Sequence, residues 1–148
     1  MAAWRPAAIQ LSSVLAGLML HSLWPAEIPL AAKLAWIAVP MFMGGATAII
    51  ALSFREFAKA KTSVRSDRGA HALIRTGPFQ YSRNPLYVAV ILLIVGIGVW
   101  VNSLWILVML IPLFLVMSRA VIAREESYLE HKFGQEYLEY RASVRRWL

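Results

Sequence analysis

Residues 84–118 read NPLYVAVILLIVGIGVWVNSLWILVMLIPLFLVMS, thirty-five consecutive positions without a Lys, Arg, Asp or Glu. A single α-helix of that length reaches about 52 Å, whereas the hydrocarbon core of a bilayer is about 30 Å thick, so one crossing cannot contain it. Asn102-Ser103 falls near the middle, with Trp100 and Trp105 on either side. The run therefore predicts a hairpin of two short helices, 86–101 and 104–122. Two further charge-free stretches precede it, Pro6–Ala26 and Leu34–Phe54, each long enough for one crossing. The expected fold is an all-α polytopic membrane protein with about four transmembrane helices. It forms a single membrane domain over 1–148, with spans at about 6–26, 34–54, 86–101 and 104–122. A cytosolic loop, 55–85, and a cytosolic tail, 123–148, form its cap.

Composition agrees with that reading. Hydrophobic residues make up 59% of the chain, charged residues 16%, and the mean hydropathy is +0.60. Soluble domains run nearer half apolar and a quarter charged, so a disordered tail and an ordinary soluble enzyme are both disfavoured. There is no cysteine. That excludes a disulfide framework, a thiolate zinc site, an iron–sulfur cluster and a cysteine nucleophile.

The net charge of +7 is organised by topology. With four crossings, the N-terminus, the 55–85 loop and the tail share one side. That side carries 14 of the 15 basic residues, and only Lys33 stands opposite. Basic residues in short loops are retained on the cytoplasmic face, so this face is expected to be cytoplasmic and drawn to anionic headgroups. Nucleic acid is not an expected partner, because the basic residues do not interleave with an aromatic platform. The first span lacks a small-x-small cleavage site and is expected to be retained.

Within the spans, Pro40, Gly44-Gly45, Gly96, Gly98 and Pro112 read as packing and kinking positions, and Met41, Met43, Met109 and Met117 as core filling. No acidic residue lies in any span, and His21 reads as interfacial. Intramembrane ionisable groups mark proton pathways, so their scarcity weighs against a proton-coupled transporter and moves any chemistry to the cytoplasmic face. No metal site is expected.

The polar segments carry the remaining signals. Arg55–Arg68 reads as an extension of the second span that Gly69 ends, and Thr76-Gly77-Pro78 is a turn signal. Asn84-Pro85 reads as a helix start, Asn as N-cap and Pro at the first helical position. In the tail, Glu126 and Glu130 share a helical face, Gly134 breaks the helix, and a second short helix follows from Gln135 to about Val144. Arg145-Arg146-Trp147 reads as a headgroup anchor. Paired glutamates beside the membrane suit a cationic ligand, although a solvated pair is the plainer alternative. No strand precedes a glycine-rich turn, so a Rossmann-type site is absent.

Two of these segments resemble the integral-membrane methyltransferase superfamily of isoprenylcysteine carboxyl methyltransferases and phospholipid N-methyltransferases. The first is His71-x-Leu73-Ile74-x-Thr76-Gly77-Pro78-Phe79 followed by Arg83-Asn84-Pro85-Leu86-Tyr87. The second is Glu125-Glu126-x-x-Leu129, then Phe133-Gly134-Gln135-Glu136-Tyr137-Leu138-Glu139-Tyr140. The resemblance implies an S-adenosylmethionine-dependent methyltransferase that acts on a lipid-like or prenylated amphiphile and releases S-adenosylhomocysteine. It implies that His71, Ala72, Leu73, Ile74, Phe79, Asn84, Pro85, Leu86, Tyr87 and Glu125 form the cofactor site. Arg83 and Glu126 are the candidate catalytic residues, and Arg119 and Arg124 the candidate substrate-binding cations.

The chain departs from the family in three places. Asn84 stands where isoprenylcysteine enzymes have histidine, and Val121 where they carry a substrate-binding arginine. Ala89 replaces a common glycine. A carboxyl, an amine or another nucleophile remains open as the acceptor, as does the oligomeric state. The alternatives are a membrane reductase of the sterol-reductase type using a reduced nicotinamide cofactor, and a non-catalytic membrane module or transporter.

Overall fold

The computed structural model describes residues 4–62 and 71–148. They form α1 (Trp4–Leu23), α2 (Ala32–Lys59), a 3-10 turn (Gly77–Gln80), α3 (Pro85–Trp100) and α4 (Leu104–Val116). A π-helical turn (Met117–Ile122), α5 (Ala123–Phe133) and α6 (Gln135–Ser143) follow. No strand occurs among the described residues. Three helical stretches, Pro6–Leu23, Ala32–Lys59 and Leu104–Phe133, are long and apolar enough to cross a membrane, and α3 is a shorter apolar helix beside them. The all-helical, roughly four-span expectation holds.

Large apolar side chains point outward along these helices: Trp36 is 82% exposed, Ile37 67% and Ile111 64%. In water such a surface would drive aggregation, but lipid solvates it without penalty. The core is correspondingly small. Ile94, Ile106, Leu113 and Met117 form its buried centre, with Ile9, Val14, Tyr87 and Val90 packed against them. It lies where α1, α3 and α4 meet, and α2 packs along α3.

Close approach of α1 to α4 depends on Gly17. A Cβ there would stand 2.9 Å from the Cα of Ile106, a main-chain atom that cannot turn aside. Gly44 and Gly45, read from sequence as packing positions, have nothing within 4 Å of a built Cβ and do not serve as contacts among the described residues. Met117 fills the core as expected, whereas Met41 faces outward at 61% exposure.

The α3–α4 hairpin turns at Asn102, which takes φ +55°. This turn is stitched to the α1–α2 connection: Ile28 N donates to Asn102 Oδ1 at 3.0 Å, Leu104 N to Ala26 O at 2.9 Å, and Trp105 Nε1 to Trp24 O at 2.6 Å.

At the opposite end α2 continues to Lys59. Because its 28 residues span about 42 Å, its last turn stands beyond the hydrocarbon. Arg65, Arg68 and Gly69 lie outside the described residues, as does the side chain of Arg5.

Gly17→Ala is expected to cost about 1–3 kcal/mol through forced separation of α1 and α4. Gly45→Ala, which meets open space, is expected to leave the protein as stable or slightly more so. Thermal unfolding of the two variants in the same detergent checks the contrast.

Candidate functional site

The polar cap is assembled from the two sequence motifs, and the first of them is clasped to the end of α2. Gly77 adopts φ +61°, and a Cβ at that position would meet Glu56 Cγ at 2.8 Å. Glu56 is buried and accepts hydrogen bonds from Thr76 Oγ1 and, at 2.6 Å, from Lys59 Nζ. The carboxylate therefore pins the turn that starts Gly77–Gln80, and only a glycine fits between them. Phe79, the next buried residue, presents its ring edge-on to Phe57 at 5.5 Å. An open groove of about 430 Å³ runs past this clasp, with Ile49 and Leu52 on its apolar side and Gln80 and Tyr81 on the other.

The second motif closes over the first. Tyr140 Oη donates to Phe79 O at 2.7 Å, and Arg75 Nη2 donates to the Glu136 carbonyl at 2.8 Å while pairing with its carboxylate at 2.9 Å. Tyr137 and Tyr140 are both buried in α6. Burial pushes both phenols above the ordinary tyrosine range, and the Glu126 charge adds to the effect on Tyr137. Both phenols are neutral at neutral pH and do not serve as bases; Tyr140 donates to Phe79 O, whereas the buried Tyr137 Oη has no hydrogen-bond partner among the described residues.

Beneath α6 lies an ion triad. Arg83 Nη2 meets Glu126 Oε1 at 3.1 Å, and both side chains are less than a tenth exposed. Arg146 reaches the same carboxylate from the tail, Nε at 3.1 Å and Nη2 at 2.5 Å. Arg83 and Glu126 are thus brought together, but Glu126 serves as the counter-ion of two guanidiniums. The tail also bonds through its main chain: Arg145 O accepts from Arg83 N at 2.9 Å, and Arg146 O from Asn84 Nδ2 at 3.0 Å and Ser82 Oγ at 3.3 Å.

This corrects two local expectations. Helix α3 begins at Pro85 with Asn84 in the N-cap position, yet the Asn84 side chain makes no capping bond, because its amide is turned to the tail. Arg146 and Trp147 do not reach out to headgroups. The arginine is drawn inward by the buried Glu126 charge, and the indole stacks on Phe114 of α4 at 4.7 Å between centroids.

Tyr87, two residues into α3, donates from Oη to Glu125 Oε1 at 2.9 Å. This contact joins the two motifs at the membrane boundary, beside the positive N-terminal end of α3. Pro85 is buried and Leu86 half-buried in the same first turn. Of the other residues named from sequence, Ile74 and Phe79 are buried, Ala72 and Leu73 are half-buried, and His71 is exposed with its amide bonded to Thr62 Oγ1 at 2.8 Å. Arg119 and Arg124 are exposed on the π-turn and the start of α5, outside the Arg83–Glu126–Arg146 triad.

Sequence reasoning missed Glu56 and gave Arg146 and Trp147 a headgroup role in place of their contacts with Glu126 and Phe114. Glu56 looks like half of a solvated i,i+3 pair with Lys59, and nothing local announces its second partner twenty residues on. The tyrosines of α6 stood within a quoted motif, but their spacing alone assigns them no role.

Four apolar helices beneath a cap built from these two motifs define an integral membrane protein. The phospholipid methyltransferase family matches residues 34–136, and the chain belongs to that family. An uncharacterised protein of Haemophilus influenzae is 40% identical over 63 residues, which are 43% of this chain and 100% of that protein. The cobalt-zinc-cadmium resistance protein CzcN of Cupriavidus metallidurans is 37% identical over 75 residues, 51% of this chain and 34% of that one. The nickel-cobalt-cadmium resistance protein NccN of Alcaligenes xylosoxydans xylosoxydans is 37% identical over 70 residues, 47% of this chain and 33% of that one. The chain thus matches about a third of the length of each resistance protein. No solved structure matches the chain.

Glu126→Gln strands two guanidiniums against a neutral amide and is expected to cost about 3–5 kcal/mol. Glu130→Gln, which loses the exposed 3.2 Å pair with Arg141, is expected to cost about 0–1 kcal/mol. Comparison of the two unfolding midpoints tests whether the triad closes the cap.

Proposed function

We propose that this protein is an S-adenosylmethionine-dependent methyltransferase that acts at the membrane face on a lipid-like amphiphile. The observation that carries the reading is the Tyr87–Glu125 hydrogen bond, which fixes a carboxylate where the two motifs meet at the end of α3. The donor set fits the cofactor. A carboxylate suits its ammonium and sulfonium charges, and the Asn84 amide and the apolar first turn of α3 offer polar and hydrophobic contacts beside it. When bound, S-adenosylmethionine supplies an electrophilic methyl group on a positively charged sulfur.

The protein's own work in this reading is orientation and exclusion of water. Tyr87 holds Glu125 in one rotamer. Pro85, Leu86 and Ile74 keep the surroundings apolar, and Phe79 fixes the 3-10 turn against α6. A carboxylate acceptor needs no base, only a cation to hold it; Arg83 is buried against Glu126, and Arg119 and Arg124 are the exposed cations at this face. An amine acceptor must first lose a proton. Glu126 is committed to two arginines and the α6 phenols are held neutral, which leaves the exposed His71 as the group to take it. The distribution of basic residues supports a cytoplasmic cap.

Calorimetric titration of S-adenosylhomocysteine into the purified protein tests this reading, with a reduced nicotinamide cofactor as the control. Saturable binding is expected, weakened at least about tenfold in Glu125→Gln through loss of a charge-assisted contact. Tyr87→Phe, which frees the carboxylate without removing it, is expected to weaken binding by less. Absence of adenosyl binding by the folded protein in lipid nanodiscs, or binding of the nicotinamide cofactor instead, would overturn the assignment.

A further inference from the structure

We propose that the groove between the end of α2 and the Gly77–Gln80 turn is a binding site for an acidic phospholipid of the cap-side leaflet, and that this lipid is not the methyl acceptor. The groove shares no residue with the Tyr87–Glu125 contact, so the assignment stands apart from the methyltransferase reading.

One wall is a single stripe of α2. Ile49, Leu52 and Glu56 fall on one helical face, three and four residues apart. They cover about 10 Å along the helix axis. Ile49 and Leu52 belong to the charge-free stretch Leu34–Phe54, and Arg55 and Glu56 are the first charged residues beyond it. The groove therefore straddles the boundary between hydrocarbon and headgroups, apolar at its deep end and polar at its shallow end. The facing wall is the turn itself, with Pro78, Gln80 and Tyr81. Tyr81 is 74% exposed, as an aromatic side chain at a membrane interface is. The volume of about 430 Å³ lies within the range of about 300–1,000 Å³ common to small-molecule sites. That accommodates a glycerol-phosphate group and the first methylenes of one chain, while the rest of the lipid stays in the bilayer.

Charge selects the headgroup. Glu56 is the only acid among the groove's lining residues, and both of its oxygens are taken, Oε1 by Lys59 and Oε2 by Thr76. Neither is left free to meet a lipid ammonium. The Lys59 side chain is 56% exposed, and its ammonium spends one of three N–H donors on Glu56. Arg55 and Lys61 are exposed and form no ion pair among the described residues. The end of α2 thus sets three cations against one carboxylate, with the Gln80 amide and the Tyr81 hydroxyl as neutral donors beside them. A phosphodiester carrying net negative charge complements this arrangement, whereas a choline headgroup brings a further cation to it. A lipid seated here touches α2 and the turn together, at the point where Glu56 already clasps Thr76.

Native mass spectrometry tests the site, with the full chain released from micelles that hold equal amounts of phosphatidylglycerol and phosphatidylcholine. The original protein is expected to retain phosphatidylglycerol in preference. Leu52→Trp, which fills the groove, and Arg55→Gln, which removes a cation at its edge, are each expected to lower the bound phosphatidylglycerol-to-phosphatidylcholine ratio at least about threefold. Lys132→Gln, which removes one exposed charge from α5 outside the groove, is expected to leave the ratio unchanged. An unchanged ratio in either groove variant would overturn the site. An equal fall in Lys132→Gln would do so as well, since it marks general attraction to a basic cap. In a second mixture phosphatidylethanolamine replaces phosphatidylcholine, and preference for its ammonium headgroup would overturn the assignment to an acidic lipid.

Discussion

One carboxylate closes the cap. Glu126 lies in the first turn of α5, and the guanidiniums it holds come from Arg83, just before α3, and from Arg146, beyond α6. Charges removed from water are tolerated only when paired, and here three chain segments must converge to pair them. Once Arg83 and Arg146 are fixed, the main chain around them falls into register. Arg83 N then meets Arg145 O, the Asn84 amide turns to Arg146 O, and the next residue, Trp147, reaches Phe114. The Tyr87–Glu125 contact lies one residue away on α5, so the geometry of the proposed cofactor site follows from that of the triad.

The transmembrane architecture was legible because it rests on coarse physics. A 35-residue charge-free run is too long for one helix, and Asn102-Ser103 is where it folds back. The cap was legible only in its order. The turn at Thr76-Gly77-Pro78 and the break at Gly134 can be read from backbone preferences, yet their partners cannot. Glu56 finds Thr76, Phe79 finds Tyr140 and Arg146 finds Glu126, all through space. Asn84 shows the same effect in reverse. Its local signal as a cap was sound, but a main-chain carbonyl sixty-two residues away won its amide.

The π-turn Met117–Ile122 is a further feature without an evident sequence signature. Each residue added to a helical turn rotates everything beyond it by about 100°. The turn stands between the last lipid-facing turns of α4 and the pair Glu125-Glu126. It therefore permits one continuous rod to present an apolar face to the bilayer and a carboxylate face to the cap. A straight heptad or 3.6-residue reading across this point misassigns which side of α5 looks inward.

The hydrogen bonds that tie Ala26, Trp24 and Ile28 to the α3–α4 turn have a mechanical consequence. They fasten both helical hairpins at one membrane surface, while the opposite surface is held by the ion pairs and hydrogen bonds of the cap. The four helices then behave like tongs with a riveted pivot, and a separation too small to notice at the rivet grows along the arms toward the jaws. Lateral pressure, or a lipid wedged between the arms, does its work at the jaws with the full lever length of a membrane span.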